Sequence, residues 1–519
     1  MREIEVVLGL LAAVVALSVI ARRLGLPYPI VMVLAGLGLG FVPGLPQVEL
    51  APDVVFLVFL PPLLYAAGFF TSIREFRANL RPIALLAFGL VLFTAGVVAA
   101  IAHALVPGLG WAGAFVLGAI VSPPDAVAAT AIFQRLGVPR RVVTILEGES
   151  LVNDATALIV YRSALAALAL GTFSLVEAGA AFVLVLAGGV AIGVVVGVLV
   201  LRALERAREP IFSVTVTLLA PYAAYLPAEQ IGVSGVVAAV VAGLLARRAI
   251  HRATSDTRIT GTAVWQTQIF VLNGLVFVLI GLQLPSVLRA VAARSLTDAV
   301  VVASAVAAAA IVARVVWVFP ATYLPRWLSA TIRRADPAPP WRAVFVVAWS
   351  GLRGVVSLAA ALALPHDFPE RDLVLFVTFG VILATLVGQG LTLPAVVRGL
   401  GLAPDRDIVH DEGHARTLTA EAAVARIDEL ADEWPTHREL IDQLRERYEH
   451  RTRHHMEAHH AEEPGAAEEE LLEHTTIRRA VLEAERAAAF DLRDRGVIDD
   501  EVLRRIERDL DLEELRMEA

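Results

Sequence analysis

The sequence predicts an all-α polytopic membrane protein with about thirteen transmembrane helices and a cytosolic helical tail. The 519 residues are 57% hydrophobic, and their mean hydropathy of +0.68 is far above that of an average soluble protein. Apolar runs of about 20 residues, long enough to cross a bilayer, recur as far as about residue 400. Before residue 404 Arg outnumbers Asp plus Glu by 27 to 19, whereas from 404 to 519 the acids outnumber Arg by 33 to 17. We therefore predict a transmembrane domain over 1–403 and a cytosolic acidic tail over 404–519.

Gly and Pro residues and clusters of charge divide the first domain into successive spans. The chain contains no Cys, which excludes disulfides, Cys-bound metals and thiol catalysis. The predicted spans are 4–21, 26–44, 52–70, 82–106, 111–134, 142–169, 174–201, 210–226, 231–246, 266–288, 299–323, 341–364 and 372–397.

The distribution of Arg predicts the orientation of these spans. One set of alternate loops carries 19 Arg residues, whereas the opposite loops and the N-terminus carry four. Because basic loops remain in the cytoplasm, the N-terminus is predicted outside a cytoplasmic membrane and the tail inside the cell.

The tail contains three stretches with helical spacing of apolar residues, "AEAAVARIDELADEW", "IRRAVLEAERAAAFDLRDRG" and "DDEVLRRIERDLDLEELRM". Between the first two lies "EHRTRHHMEAHHAEEPGAAEEE", which is predicted to be a polar linker. Its four histidines could bind a metal or respond to pH, but a solvated linker is the favoured interpretation. These histidines are His454, His455, His459 and His460.

Ionisable residues inside apolar spans mark a functional site, because each is costly in a bilayer. In "EGESLVNDATALIVYR", Ser150 and Asp154 are four residues apart and share a helix face, Glu147 lies on much the same face, and Asn153 points about 100° away. A carboxylate with oxygen neighbours suits a hard alkali cation, and the same carboxylate can carry a proton because burial disfavours its charged form. Competition between the two at one group is the minimum requirement for exchange. The charged residues inside spans are Asp125, Glu147, Glu149, Asp154, Arg162, Arg314 and Arg353.

Two spans are predicted to be broken. In "VSPPDAVAAT" (121–130), Pro123 and Pro124 remove helical N–H donors, and Asp125 can cap the helix that follows. In "AWSGLRGVVSLAAA", two glycines flank Arg353. If spans 1–6 and 8–13 are repeats joined by span 7, the two breaks occupy matching positions in halves of opposite orientation, as in secondary transporters.

These motifs resemble a known family. "SPPDAVAATAIFQRLGVPRRVVTILEGESLVNDATALIVYR" together with "WSGLRGVVSLAAALALP" resembles the bacterial sodium/proton exchangers of the monovalent cation:proton antiporter-1 family. The resemblance covers roughly residues 5–400. It implies a thirteen-helix fold with a dimerisation domain and a mobile ion-binding domain, which works as a homodimer in membrane lipid by alternating access.

The resemblance also implies roles for individual residues. Asp154 is expected to carry the Na⁺ and the proton, with the Ser150 side chain and the Pro124 carbonyl as further cation ligands. Asn153 and Asp125 are expected to hold the helix crossing together, and Arg353 to balance its charge. The acids beside them, Glu147 and Glu149, are supporting candidates. The Asn-Asp pair resembles that of the electroneutral exchangers, which exchange one cation for one proton. For the protein as a whole we expect no cofactor, no enzyme activity and no nucleic-acid partner.

One position departs from this pattern, since many relatives carry an acid where this chain has Ala66, within "LPPLLYAAGFF". The departure leaves Na⁺ (or Li⁺) and K⁺ open as the exchanged cation. A channel is another alternative, and it would conduct a current through the protein instead of exchanging ions. An intramembrane aspartyl protease with Asp125 and Asp154 as its dyad is a remote alternative, because it has no use for the two breaks or for Ser150.

Overall fold

The computed structural model describes residues 2–43, 52–207, 209–250, 254–291, 295–402, 406–460, 465–495, 497 and 500–518. All the regular secondary structure in these residues is helical, in agreement with the predicted fold class. The chain divides into two compact units, Met1–Pro404 and Asp405–Ala519.

The first unit is built from long apolar helices, since a helix satisfies its own backbone hydrogen bonds where no water is present. Ten helices among the described residues are long and apolar enough to cross a membrane. The span count of thirteen and the inverted repeats stay predictions. The helices are Arg2–Leu24, Tyr28–Gly40, Pro52–Phe70, Ile73–Ala78, Leu80–Leu105, Gly110–Val121, Ala126–Leu136, Arg140–Leu170, Leu175–Arg206, Pro210–Gln230, Gly235–Ile250, Ser255–Leu282, Leu284–Ala290, Leu296–Leu328, Ala330–Ala335, Trp341–Trp349, Val355–Leu362 and Arg371–Gly399.

The helix expected over 266–288 begins 11 residues earlier, at Ser255. The prediction was wrong because the first turns are polar and resemble a loop. Thr254 precedes them, and its hydroxyl accepts a hydrogen bond from the Thr257 N–H at 3.4 Å, so a side-chain cap starts the helix before the apolar run begins.

Buried apolar side chains form two separate clusters in this unit. The smaller one is built mainly by Pro52–Phe70, Pro210–Gln230 and Gly235–Ile250. The larger one includes residues from both halves of each span that the sequence predicts to be broken. Leu151 and Ala155 of Arg140–Leu170 belong to the smaller cluster, whereas Leu146 and Tyr161 of the same helix belong to the larger one. This helix therefore lies between the two clusters.

The tail unit contains the helices Arg406–Glu433, Arg438–His460, Gly465–Asp494 and Asp500–Glu518. The predicted polar linker was therefore wrong over most of its length. Its Ala, Glu and Arg residues are strong helix formers, and the polar character of the segment did not prevent helix formation. Residues 461–464 and the side chains of the four histidines lie outside the described part of the chain.

Three helices of the first unit are tied together at the predicted cytoplasmic side by one carboxylate. Asp336 accepts hydrogen bonds from Arg81 at 2.5 Å, from Arg141 at 2.6 Å and from Arg326 at 2.7 Å. Partial burial raises the pKa of Asp336, but the hydrogen bonds and charges of Arg141 and Arg326 outweigh it and hold the pKa below its ordinary value. The ionised carboxylate is therefore the form that stabilises the fold.

We expect Asp336→Asn to lower the thermal stability of the first unit at neutral pH, because the amide cannot balance three guanidinium groups. The depressed folded-state pKa means that this stabilisation is present above about pH 4 and is lost as the pH falls through the folded-state value. Thermal unfolding against pH checks this. Asp53→Asn, at an exposed acid with no ion pair in the described structure, is the control. A constant difference between Asp336→Asn and the wild type at every pH would contradict the assignment.

Candidate functional site

The first broken span supplies a bend with free backbone groups. The helix Gly110–Val121 ends, residues 122–125 form the first break, and Ala126–Leu136 follows. Asp125 has extended backbone geometry, and its carboxylate accepts a hydrogen bond from the Val127 N–H at 2.8 Å. Asp125 therefore caps the second half of the span, as the sequence predicted.

The second broken span crosses the first at this bend. Trp341–Trp349 ends, residues 350–354 form the second break, and Val355–Leu362 follows. The Asp125 N–H donates to the Leu352 carbonyl at 2.6 Å. A side chain at Gly354 would place its Cβ in collision with a carboxylate oxygen of Asp125, so only glycine permits this approach. We call the contact of the two breaks the crossing.

A buried arginine binds a free carbonyl at the end of the half-helix Gly110–Val121 and another in the second break. Arg353 is 1% exposed, and its Nε donates to the Val121 carbonyl at 3.1 Å. Its Nη1 donates to the Gly351 carbonyl, and its backbone N–H donates to the Thr385 hydroxyl at 3.1 Å. A positive charge at a helix C-terminus is also favourable to the helix dipole.

A second buried arginine, Arg314, binds a free carbonyl near the end of Trp341–Trp349, the first half of the second broken span. Sequence reasoning gave this arginine no role. Arg314 Nη2 donates to the Val347 carbonyl at 3.1 Å. Its two terminal nitrogens also bind both carboxylate oxygens of Glu149, at 2.5 and 2.8 Å. Both side chains are 1% exposed. The sequence did contain one indication of this ion pair, because an Arg and a Glu inside separate apolar spans each need a counter-charge.

The helix Arg140–Leu170, which we call the site helix, brings its polar residues to the crossing. Asn153 is fully buried, and its Nδ2 donates to the Pro124 carbonyl at 2.8 Å. The Oδ1 of the same side chain has no hydrogen-bond partner among the described residues. Asn153 thus fastens the site helix to the first break, and it uses one acceptor position of the carbonyl predicted to bind the cation.

The Asp154 carboxylate is uncommitted. It is 9% exposed, and no hydrogen bond or ion pair engages it within the described part of the structure. Ser150 is half-buried one turn away on the same face. When every group of the crossing is ionised, Asp125, Glu149 and Asp154 oppose Arg314 and Arg353, which leaves one uncompensated negative charge.

Two other sequence candidates lie apart from the crossing. Glu147 is two helical turns from Asp154, about 10 Å along the axis. Its charged neighbours are Arg140 and Glu75, which are themselves joined by a 2.9 Å ion pair. Ala66 is 1% exposed in the smaller apolar cluster, together with Ala155 of the site helix. The structure therefore brings neither Glu147 nor a third-span acid to the crossing.

Comparisons with known proteins agree with this architecture. Residues 9–399 match the family described as sodium/hydrogen exchanger, transmembrane. An uncharacterised Na⁺/H⁺ exchanger of Mycobacterium bovis is 36% identical over 99% of this chain and 96% of its own length. A sodium, potassium, lithium and rubidium/H⁺ antiporter of Bacillus pumilus is 34% identical over 75% of this chain and 60% of its own length.

The fold resembles a solved structure as well. The sodium proton antiporter MjNhaP1 of Methanocaldococcus jannaschii superimposes with a TM-score of 0.63 at 19% identity. The match covers 77% of this chain and 100% of that one. At this identity the likeness concerns the fold alone.

The pairing of Arg314 with Glu149 gives a prediction about stability. Arg314→Met should destabilise the protein by roughly 3–5 kcal/mol, because it leaves Glu149 charged, buried and unpaired. Adding Glu149→Gln to this variant should restore part of the loss, since no uncompensated charge then remains. A double-mutant cycle from denaturation of the purified protein measures the coupling. Strictly additive losses would show that the two side chains do not act as a pair.

Proposed function

This chain belongs to the sodium/hydrogen exchanger family, a family of transporters, and on that premise we propose that it exchanges one Na⁺ for one proton at Asp154 by alternating access. The single observation that carries the proposal is the uncommitted Asp154 carboxylate beside a crossing whose other charges are balanced. A buried carboxylate without a partner is very costly. It therefore binds a cation or a proton, and either one neutralises the crossing.

The proposed cation ligands are the Asp154 carboxylate, the Ser150 hydroxyl and the remaining acceptor position of the Pro124 carbonyl. The unpartnered Oδ1 of Asn153 adds a further oxygen in the same region. Carboxylate, hydroxyl and carbonyl oxygens suit a hard alkali cation. Asn153 and Asp125 hold the crossing together, while Arg353 and the Arg314–Glu149 pair supply its fixed charges.

K⁺/H⁺ exchange at the same site is the second candidate. The printed name of the Bacillus pumilus relative includes potassium and rubidium. Ala66 provides no carboxylate near the site helix, so fewer charged groups are available to strip water from the smaller Na⁺ ion. This observation favours a permissive site over a strict Na⁺ site.

The protease alternative has little support from the geometry. A catalytic dyad needs two carboxylates that share a proton. Asp125 instead caps the helix after the first break and packs against Gly354.

The proposed setting is a homodimer in the cytoplasmic membrane, with the N-terminus outside and the tail inside. The distribution of Arg supports the orientation. Apolar side chains such as Leu8, Leu184 and Leu199 are exposed on Arg2–Leu24 and Leu175–Arg206, and they suit contact with lipid or a second protomer.

We expect Asp154→Asn to abolish exchange, because an amide can neither carry the proton nor supply the charge that holds the cation. Proton flux driven by a Na⁺ gradient in proteoliposomes measures this. Glu147→Gln removes a carboxylate from the same helix outside the crossing and should retain exchange. Ser150→Ala should mainly raise the KM for the cation, since it removes one neutral ligand. Exchange at the wild-type rate in folded Asp154→Asn protein would refute the mechanism.

The charge balance of the crossing predicts electroneutral exchange. One cation and one proton use the same negative charge in turn, so a complete cycle moves no net charge. An imposed membrane potential should therefore leave the rate of Na⁺/H⁺ exchange unchanged. Proteoliposomes clamped with K⁺ and valinomycin test this, once K⁺ has been shown not to be transported. A rate that rises with the potential would mean that a second acid, such as Asp125 or Glu149, also releases its proton.

A further inference from the structure

Residues 326–336 lie at the predicted cytoplasmic end of Leu296–Leu328 and reverse the direction of the chain there, and we call this segment the basic foot. The long helix ends at Leu328, Ser329 caps the short helix Ala330–Ala335 through the Ile332 N–H, and Asp336 folds back onto Arg326. Arg326 is 5% exposed and binds both the backbone carbonyl and the carboxylate of Asp336, at 3.1 and 2.7 Å. The two ends of the foot are thus held together.

The foot exposes apolar and basic side chains side by side. Trp327 is 74% exposed and Leu328 is 69% exposed, although they end an apolar span. Arg333 and Arg334 are also exposed, and neither has an ion pair in the part of the chain that the structure describes. An exposed Trp and Leu at the end of a span suit the boundary between acyl chains and headgroups, where Trp is enriched.

The local charge strongly favours an anion. Asp336 is already shared by Arg81, Arg141 and Arg326. With the exposed Arg333 and Arg334, the foot and the partners of Asp336 carry five guanidinium groups against this one carboxylate. Guanidinium groups bind phosphate oxygens in bidentate geometry, and basic residues beside a membrane bind anionic lipid.

We propose that the basic foot binds the phosphate headgroup of an anionic phospholipid of the cytoplasmic leaflet. Arg333 and Arg334 contact the headgroup, while Trp327 and Leu328 lie among the adjoining acyl chains. A free phosphate compound would use the basic residues but not the exposed apolar pair, so the combination indicates a lipid. The inference rests on the proposed orientation and not on the ion chemistry at Asp154.

The foot is connected to the transport machinery through Asp336. Arg141, one of its partners, lies in the first turn of the site helix. A bound lipid would therefore lie beside the cytoplasmic end of the helix that carries Asp154. Arg22 and Arg23 are also adjacent and exposed, and no ion pair joins them to the site helix in the described part of the structure, so they provide a matched control.

The absence of Cys from the sequence allows a clean test with a single fluorescent label. Thr331→Cys places bimane on the exposed side of the foot, and the full-length protein is reconstituted in phosphatidylcholine vesicles that contain phosphatidylglycerol. A nitroxide is carried by one lipid or by the other, at equal mole fraction. We expect nitroxide phosphatidylglycerol to quench bimane more strongly than nitroxide phosphatidylcholine.

Three variants distinguish a specific lipid site on the foot from general electrostatic attraction to an anionic membrane. Arg333→Gln with Arg334→Gln should remove the preference, because each Arg contributes about fivefold to binding and the pair about thirtyfold. Arg22→Gln with Arg23→Gln should leave the preference at residue 331 intact. Trp327→Ala should weaken quenching by both nitroxide lipids, since the apolar contact is lost.

Four outcomes would overturn the proposal. They are equal quenching by the two lipids in the wild-type foot, loss of the preference in the Arg22 and Arg23 variant, loss of the preference on addition of inorganic phosphate, and no quenching by either lipid. The third would identify a site for a free phosphate, and the fourth a foot covered by another part of the protein. Na⁺/H⁺ exchange measured in the same vesicles reports separately on the proposed function.

Discussion

The crossing depends on one constraint: an apolar phase cannot solvate an interrupted helix or an unpaired charge. Each half-helix that ends inside the membrane unit leaves backbone carbonyls without partners. Arg353 donates to Val121 at one such end, and Arg314 donates to Val347 at the other. Gly354 lets Asp125 approach closely enough for its N–H to reach Leu352. The breaks can therefore exist only because these partners are present.

Meeting this constraint determines the charge of the site. Two arginines are required by the two helix ends, and two of the three acids have structural partners, since Glu149 binds Arg314 and Asp125 caps a helix. Among the described acids of the crossing, Asp154 is the one without such a partner. In the proposed exchange, the transported cation or proton is therefore the last counter-charge of a network that also holds the crossing together.

Much of this arrangement could be predicted from the sequence. Apolar runs indicated the spans, while Pro123, Pro124 and the glycines around Arg353 indicated the breaks. The pairing of Arg314 with Glu149 could not be predicted in this way, because it joins residues 165 positions apart and neither has a local motif. The early start of the helix at Ser255 was missed because apolar periodicity detects buried helix faces. The first turns of this helix are polar, and a side-chain cap starts them. Glu147 was placed near Asp154 by face alone, which ignores the distance of two turns.

The position of the site helix between two apolar clusters is consistent with the proposed alternating access. At the crossing the helix is held by hydrogen bonds and a buried ion pair, which are costly to break. Towards the smaller cluster it presents Leu151 and Ala155, whose apolar contacts have no directional partner to lose if the surfaces slide.

The ion pair of Arg162 with Glu229 of Pro210–Gln230, at 2.6 Å, also joins these surfaces, and Arg162 is 48% exposed. Glu229 is 25% exposed and also accepts a hydrogen bond from the Gly235 N–H, but solvent screens its pair with Arg162 more than it screens the buried pair at the crossing. Strong interactions thus lie within the group of helices that carries the ion, and weak ones lie along the surface where that group would move.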